Sequence, residues 1–371
     1  MPKTFFLLCF LILPCEALSD WQKLAKEGTQ ARLRGNFETA KIIEQRLLQD
    51  ADTPIGHVFA LNTIITNLTW DETETRFDEA IPFHTAAVLE WCEPRIDDSP
   101  MKATANHYCG QANFSLSVYH GLRGNYIRAG QYGSQSINYF EKALRVDPQL
   151  IDSKLYLGLA YFVADNLPPF IKIFSRFLWF IPTGNSAKSI PYLKEVIRAG
   201  DEFPDVARYI YATLMLVDEK NRPLAIEELK YLVNKYPHNS RFQLRLLSVL
   251  LLLQDYKTAL AQADSYLAYK PINDDLYLTL IWKLRAYLGL GHITEAEELL
   301  SSIPANVYEK LPSWSRSWHM LSIAQLHDLR GERQSAVNGY NDVLGLANSD
   351  YVNNLIVEAA ESGLIDPYGL E

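Results

Sequence analysis

The short motifs that carry enzyme chemistry are missing from this sequence. In 371 residues there is no GxSxG nucleophile elbow, no Walker-type phosphate loop, no HExxH pair and no GxGxxG following a strand. Those absences remove the familiar hydrolase, nucleotide-binding and zinc-protease layouts, and no Ser, His and Asp spacing selects a triad. Charge of one sign is not concentrated either. The 35 Lys and Arg and 44 Asp and Glu leave a net charge of -9 without a dense basic stripe, so nucleic acid is not an expected partner. Cysteine is scarce, with four in all, and CxxCH is absent, which excludes covalent attachment of a c-type haem. The eight histidines are scattered. His84, Cys92, His107 and Cys109 match no compact metal spacing, and His319 and His327 stand too far apart on one helix. No cofactor or metal is expected, and the chain is not expected to be an enzyme.

What is present begins at the N-terminus. Lys3 is followed by an almost wholly apolar run, Phe5 to Leu13, then Pro14, and Ala17 and Ser19 place small residues before Asp20. This pattern predicts a secretory signal peptide over 1–19, with cleavage after Ala17 as an alternative. The run is shorter than the roughly 20 residues a membrane-spanning helix needs. A lipoprotein reading would lipidate Cys15, but Pro14 is bulky where such signals carry a small residue. Export leaves Cys92 and Cys109 as an even pair, read either as a disulfide or as two buried thiols in adjacent helices. The sequons at Asn67 and Asn113 fall inside predicted helices and matter only in a eukaryotic secretory path.

Past the leader the pattern is helical and repeats. Ala225 to Ala259 and Pro237 to Pro271 are both 34 residues apart, punctuating LAIEELKYLVNKYP and KTALAQADSYLAYKP. Small residues recur near the start of successive second helices at Ala40, Ala80, Ser136, Ser189, Ala225, Ala259, Ala296 and Ala336. KLYLGLAYF supplies Leu157, Gly158 and Tyr161, and SINYFEKALRVDP supplies Phe140, Ala143 and Pro148. On these residues the chain resembles the tetratricopeptide repeat family, whose unit is two antiparallel helices. The match is strong around 137–161 and 225–345 and degenerate at 55–130. There Gly121, Gly124, Gly130 and Gly133 are expected to weaken any helix. The resemblance implies an all-α superhelix of helix hairpins. It divides the mature chain into degenerate repeats over 20–135, repeats with an apolar insert (165–183) over 136–348, and a capping helix and tail over 349–371. Tyr161, Tyr256, Tyr287 and Tyr340 fall at packing positions.

The family's first helices line a concave groove. Carried over, Tyr211, Arg245, Trp282, Arg285, Ser322 and Gln325 become candidates for binding a protein or peptide. Arg245 and Arg285 would pair with carboxylates, and Trp282 would be an apolar anchor. The family's clamp for C-terminal carboxylates is not matched. The insert VADNLPPFIKIFSRFLWFIPTGN breaks the period. It is either an extra helix folded over the array or a helix in a membrane interface over 167–182, with Phe170, Phe174, Phe177 and Trp179 as contacts. The expectation is a non-catalytic, exported scaffold for protein–protein interaction in the cell envelope, periplasmic or secreted. The alternative is a membrane-surface-associated assembly factor.

Overall fold

The computed structural model describes residues 20–49, 53–97, 100–165, 186–304, 307, 311–347 and 354–369. The expected leader with Cys15, and the insert with Phe170, Phe174, Phe177 and Trp179, lie outside the described residues. Among the described residues every regular element is a helix. In chain order they are α1 (Asp20–Leu33), α2 (Phe37–Leu47), α3 (Ile55–Leu68), α4 (Ala80–Cys92), α5 (Lys102–Leu122), α6 (Tyr126–Val146), α7 (Ser153–Asp165), α8 (Ser186–Ala199) and α9 (Pro204–Met215). They continue as α10 (Arg222–Lys235), α11 (Ser240–Leu252), α12 (Tyr256–Leu267), α13 (Asn273–Gly289), α14 (Ile293–Ser302), α15 (Ser313–Leu329), α16 (Arg333–Ala347) and α17 (Asn354–Ile365). Consecutive helices pack on one another along the chain.

One turn recurs at five hairpins. Gly35, Gly124, Gln254, Gly291 and Gly331 all have positive φ, between 58° and 77°. At each, that residue's N–H donates to the carbonyl three residues back, as in Gly35 to Arg32, and the next N–H donates five back, as in Asn36 to Ala31. This is the Schellman closure, which satisfies carbonyls that a helix end leaves bare. Five residues past the positive-φ position stands an alanine every time, Ala40, Ala129, Ala259, Ala296 or Ala336, its N–H bonded to the residue that opens the second helix. An alanine there lets two helix axes approach. The run of small residues points to Ser136 at the α5–α6 hairpin, and Ala129 occupies the turn-proximal position there. Both serve, because α5 and α6 are 21 residues each. Ser136 Oγ donates to Gly110 O at 2.9 Å, as Ser189 Oγ does to Gly158 O at 2.6 Å in the next hairpin.

The glycines expected to weaken helix near 121–133 do not do so. Gly121 lies within α5 and Gly130 and Gly133 within α6, while Gly124 makes the turn. The cost of glycine in a helix is offset by close packing. A Cβ on Gly110 would stand 2.8 Å from the Phe140 ring, and one on Gly133 would stand 3.0 Å from Ser117 Oγ. Cys92 and Cys109 are fully buried and joined by a disulfide between α4 and α5, with Cα atoms 5.8 Å apart. Asn113 is buried and donates to Cys109 O, so the second sequon presents no accessible amide.

The chain does not behave as a purely nearest-neighbour array. Helices α1 and α3, with Trp70 just past α3, fold back on elements about 175 to 245 residues further on. Lys26 pairs with Asp201 at 2.5 Å. Asn239 Nδ2 donates to Leu33 O at 3.0 Å, and Arg241 Nη2 donates to Asn67 Oδ1 at 2.8 Å. Trp314 Nε1 donates to Trp70 O at 2.8 Å. Leu33 joins the largest apolar cluster with Leu246, Leu250, Ile281 and Trp282. At the other end, buried Asp328 accepts from Tyr340 Oη and the Tyr368 N–H, both at 2.8 Å, and pairs with Arg333 at 3.0 Å. Arg333 also donates to the carbonyls of Gly363 and Leu364, so α17 is capped against α16.

Candidate functional site

The groove candidates come from α9, α11, α13 and α15, and they do not form an open wall. Tyr211, Trp282, Ser322 and Gln325 are buried. Trp282 stacks on Trp314 with ring centroids 5.8 Å apart and tilts against Trp318 at the same distance. Trp70, from just past α3, stands edge-on to Trp314 at 5.2 Å, and the Arg241 guanidinium lies 5.0 Å over Trp70. The fold-back therefore lies against the face that the family resemblance would leave open. Arg285 lies 3.8 Å over the Trp318 ring. Desolvation pulls its guanidinium down to about 10. Its Nε and Nη1, the Trp282 Nε1 and the Arg245 Nε have no hydrogen-bond partner among the described residues. Four of the seven tryptophans thus meet here. Of these four the sequence singled out Trp282 alone, and nothing in it placed Trp70, Trp314 and Trp318 against it.

A different feature is accessible. Where α1, α3, α5, the turn before α7 and the α8–α9 turn meet, there is a half-enclosed cavity of about 210 Å³. Its apolar lining includes Ala25, Ile55, Val58, Phe59, Ile151 and Phe203. Its polar lining is held by a hydrogen-bond chain. Tyr156 Oη donates to Gln111 Oε1 at 2.8 Å, and Gln111 Nε2 donates to His107 Nε2 at 2.7 Å. His107 Nδ1 then donates to Ser153 Oγ at 2.7 Å. That order of donors fixes a neutral imidazole, and burial holds its pKa down at about 4. Ser153 and His107 have the composition of a nucleophile and base. Ser153 is fully buried, however, and the second His107 nitrogen is occupied by Gln111, so the pair is structural.

The acidic side of the cavity is formed by Asp152, Asp201 and Glu202. Asp152 Oδ2 accepts from the Glu202 and Asp201 N–H groups at 2.9 and 3.2 Å, while its buried Oδ1 has no partner among the described residues. Glu202 Oε1 accepts from Thr29 Oγ1 at 2.7 Å. Burial pushes Glu202 up to about 7, with Arg32 pulling it back and Asp152 adding to the rise. Burial also raises Asp152, against its backbone hydrogen bonds. Arg32 does not reach Glu202 directly. It donates to Thr29 Oγ1 at 3.3 Å and to Thr63 Oγ1 at 3.1 Å, and its guanidinium lies 4.1 Å over Phe59.

His57 and His84 approach with their Nδ1 atoms 2.9 Å apart. Burial and the neighbouring ring keep His84 at about 4. No third ligand joins them, and no cluster of three metal-ligating side chains occurs among the described residues. No helix of the described residues is long and apolar enough to cross a membrane. No family model matches the chain, and no curated protein matches it.

Proposed function

We propose that the chain is a non-catalytic, tetratricopeptide-like helical scaffold that captures a protein partner at the cavity between α1, α3, α5 and the α8–α9 turn. The observation that carries this reading is the cavity itself. Side chains from five separate segments converge on accessible volume there, with a mixture of apolar wall and oriented polar groups that suits recognition. The five repeated turns support the repeat reading, because each spends its special residues on packing one helix against the next. The buried Cys92–Cys109 bridge suits an exported protein in an oxidising compartment. The proposed home is therefore the cell envelope or the exterior.

The burial of Trp282 moves the expected contact from the Trp282–Arg285 wall to the cavity. Ala199 is exposed at the cavity lining, so Ala199→Trp occludes the opening without disturbing a core. Crosslinked complexes purified from the native compartment are expected to lose one discrete partner in Ala199→Trp. Retention of every partner at wild-type yield would place binding elsewhere.

A further inference from the structure

The cavity lining is unbalanced in charge. It holds three carboxylates, Asp152, Asp201 and Glu202, and no Lys or Arg. His107, the one other titratable nitrogen in it, is engaged on both sides and neutral. Among these acids Asp201 alone has an ion pair, with Lys26, and that side chain is itself exposed. Asp152 and Glu202 are held by neutral donors, a backbone turn and a threonine hydroxyl. Asp152 Oδ1 is packed beside Gly200 and bonded to nothing among the described residues, so Asp152 adds negative potential while its other oxygen holds the turn. Glu202 lies between Asp152 and Asp201 with no cation among the described residues bonded to it, and a charged donor pairs with such a carboxylate best. Facing the acids are Phe59, Ile55 and Val58, an apolar wall that suits a hydrocarbon stem. The volume equals about seven water molecules at their share of the liquid, enough for one such stem and its head group.

We infer that this cavity binds an alkylammonium or guanidinium group on an apolar stem, with Glu202 receiving the charge, Asp152 and Asp201 adding to the negative potential, and Phe59 lining the stem. The inference rests on the proposed scaffold function and gives the partner its chemistry: a lysine or arginine side chain inserted from a polypeptide. A free amine offers the same head group, and the two sources separate by experiment.

Binding is coupled to protons. The groups around Glu202 are Thr29 and Arg32 from α1, the neutral His107 and Tyr108 from α5, Asp152 before α7, Tyr156 from α7, and Asp201 on its own turn, with Lys26 beyond Asp201. Glu202 takes up a proton near neutrality because of burial, and an arriving cation competes with that proton. Affinity therefore rises from pH 6 to pH 8.

The test is calorimetric titration of the full-length protein with two cationic probes, an N-acetylated, C-amidated Gly-Lys-Gly peptide and cadaverine. The norleucine peptide and 1,5-pentanediol serve as the matched neutral probes. The expected result is saturable binding of a cationic probe, stronger at pH 8 than at pH 6, and absent for its neutral isostere. Glu202→Gln keeps the size of the side chain and an acceptor for Thr29, and is expected to weaken binding about tenfold. Glu298→Gln, on the exposed face of α14, leaves it unchanged. Peptide binding stronger than cadaverine binding identifies a polypeptide source, and the reverse identifies a free amine. Equal binding of cationic and neutral probes would overturn the inference, as would an unchanged affinity in Glu202→Gln whose circular dichroism matches wild type. If the Ala199→Trp variant loses its partner while neither cation binds, the scaffold reading stands and the cation inference fails.

Discussion

Single side chains set the pH response. Burial keeps His84, His107 and His319 near 4, below the ordinary 6.5, and pushes Glu202 from 4.5 up to about 7. Between pH 4 and 6.5 the unfolded chain binds more protons at these histidines than the folded chain does, so their contribution to stability grows as pH rises. Glu202 has the opposite sign: the folded chain holds the extra proton, and that stability is lost as pH rises from 4.5 to 7. Three histidines outweigh one carboxylate, so the melting temperature should climb to a maximum near pH 6.5 and then dip slightly. In Glu202→Gln the dip should vanish, which melting curves from pH 4 to 8 would check. Asp328 is the other decisive single residue, because it satisfies Arg333, Tyr340 and the Tyr368 N–H together. Asp328→Ala should cost about 2 kcal/mol in denaturant unfolding. A loss below 0.5 kcal/mol, the scale of a surface change, would mean that the cap on α17 is not held there.

At the scale of elements, the repeated turn and the glycine contacts separate two kinds of cost. Nothing lies within 4 Å of a Cβ built on Gly331, whose φ is +76°, so Gly331→Ala should cost about 1 kcal/mol from backbone conformation alone. Gly110 sits against the Phe140 ring, and Gly110→Ala should cost about 2 kcal/mol from overpacking. Equal unfolding free energies for both variants would contradict this division. Reducing the Cys92–Cys109 bridge, which spans 17 residues, should lower stability by about 3 kcal/mol. Its full burial should make reduction slow without denaturant. Much of this level was legible in the sequence. Gly35, Gly291 and Gly331 announce the turns, and the alanines after them announce close helix pairs. Gln254 hid another of the five turns, because a non-glycine with positive φ leaves little trace in sequence. Gly121, Gly130 and Gly133 lie in helices for a related reason: the penalty of a glycine is local, whereas a contact such as that of Gly133 with Ser117 comes from a neighbouring helix.

At the scale of the whole molecule, the departure from a linear array is what matters for function. The fold-back of α1 and α3 rests on Trp70, Arg241, Asn239 and Trp314, contacts between residues more than 170 apart. Periodicity reports only neighbours, so neither this closure nor the cavity it completes could be read from spacing. The chain of hydrogen bonds from Tyr156 through Gln111 and His107 to Ser153 joins residues on two helices, and Glu202 comes from a third segment. Trp70→Ala should loosen the first layer, and amide exchange in α1 and α3 should quicken about tenfold while α7 and α8 stay as protected as before. Uniform acceleration would show that the layer opens only with global unfolding. The proposed function itself stands on where a partner touches the chain. Photo-crosslinking in the native compartment, from Gln149 at the exposed edge of the cavity lining and from Glu298 on α14, tests that most directly. The account predicts one discrete adduct from Gln149 and none from Glu298; adducts from Glu298 with none from Gln149 would contradict it.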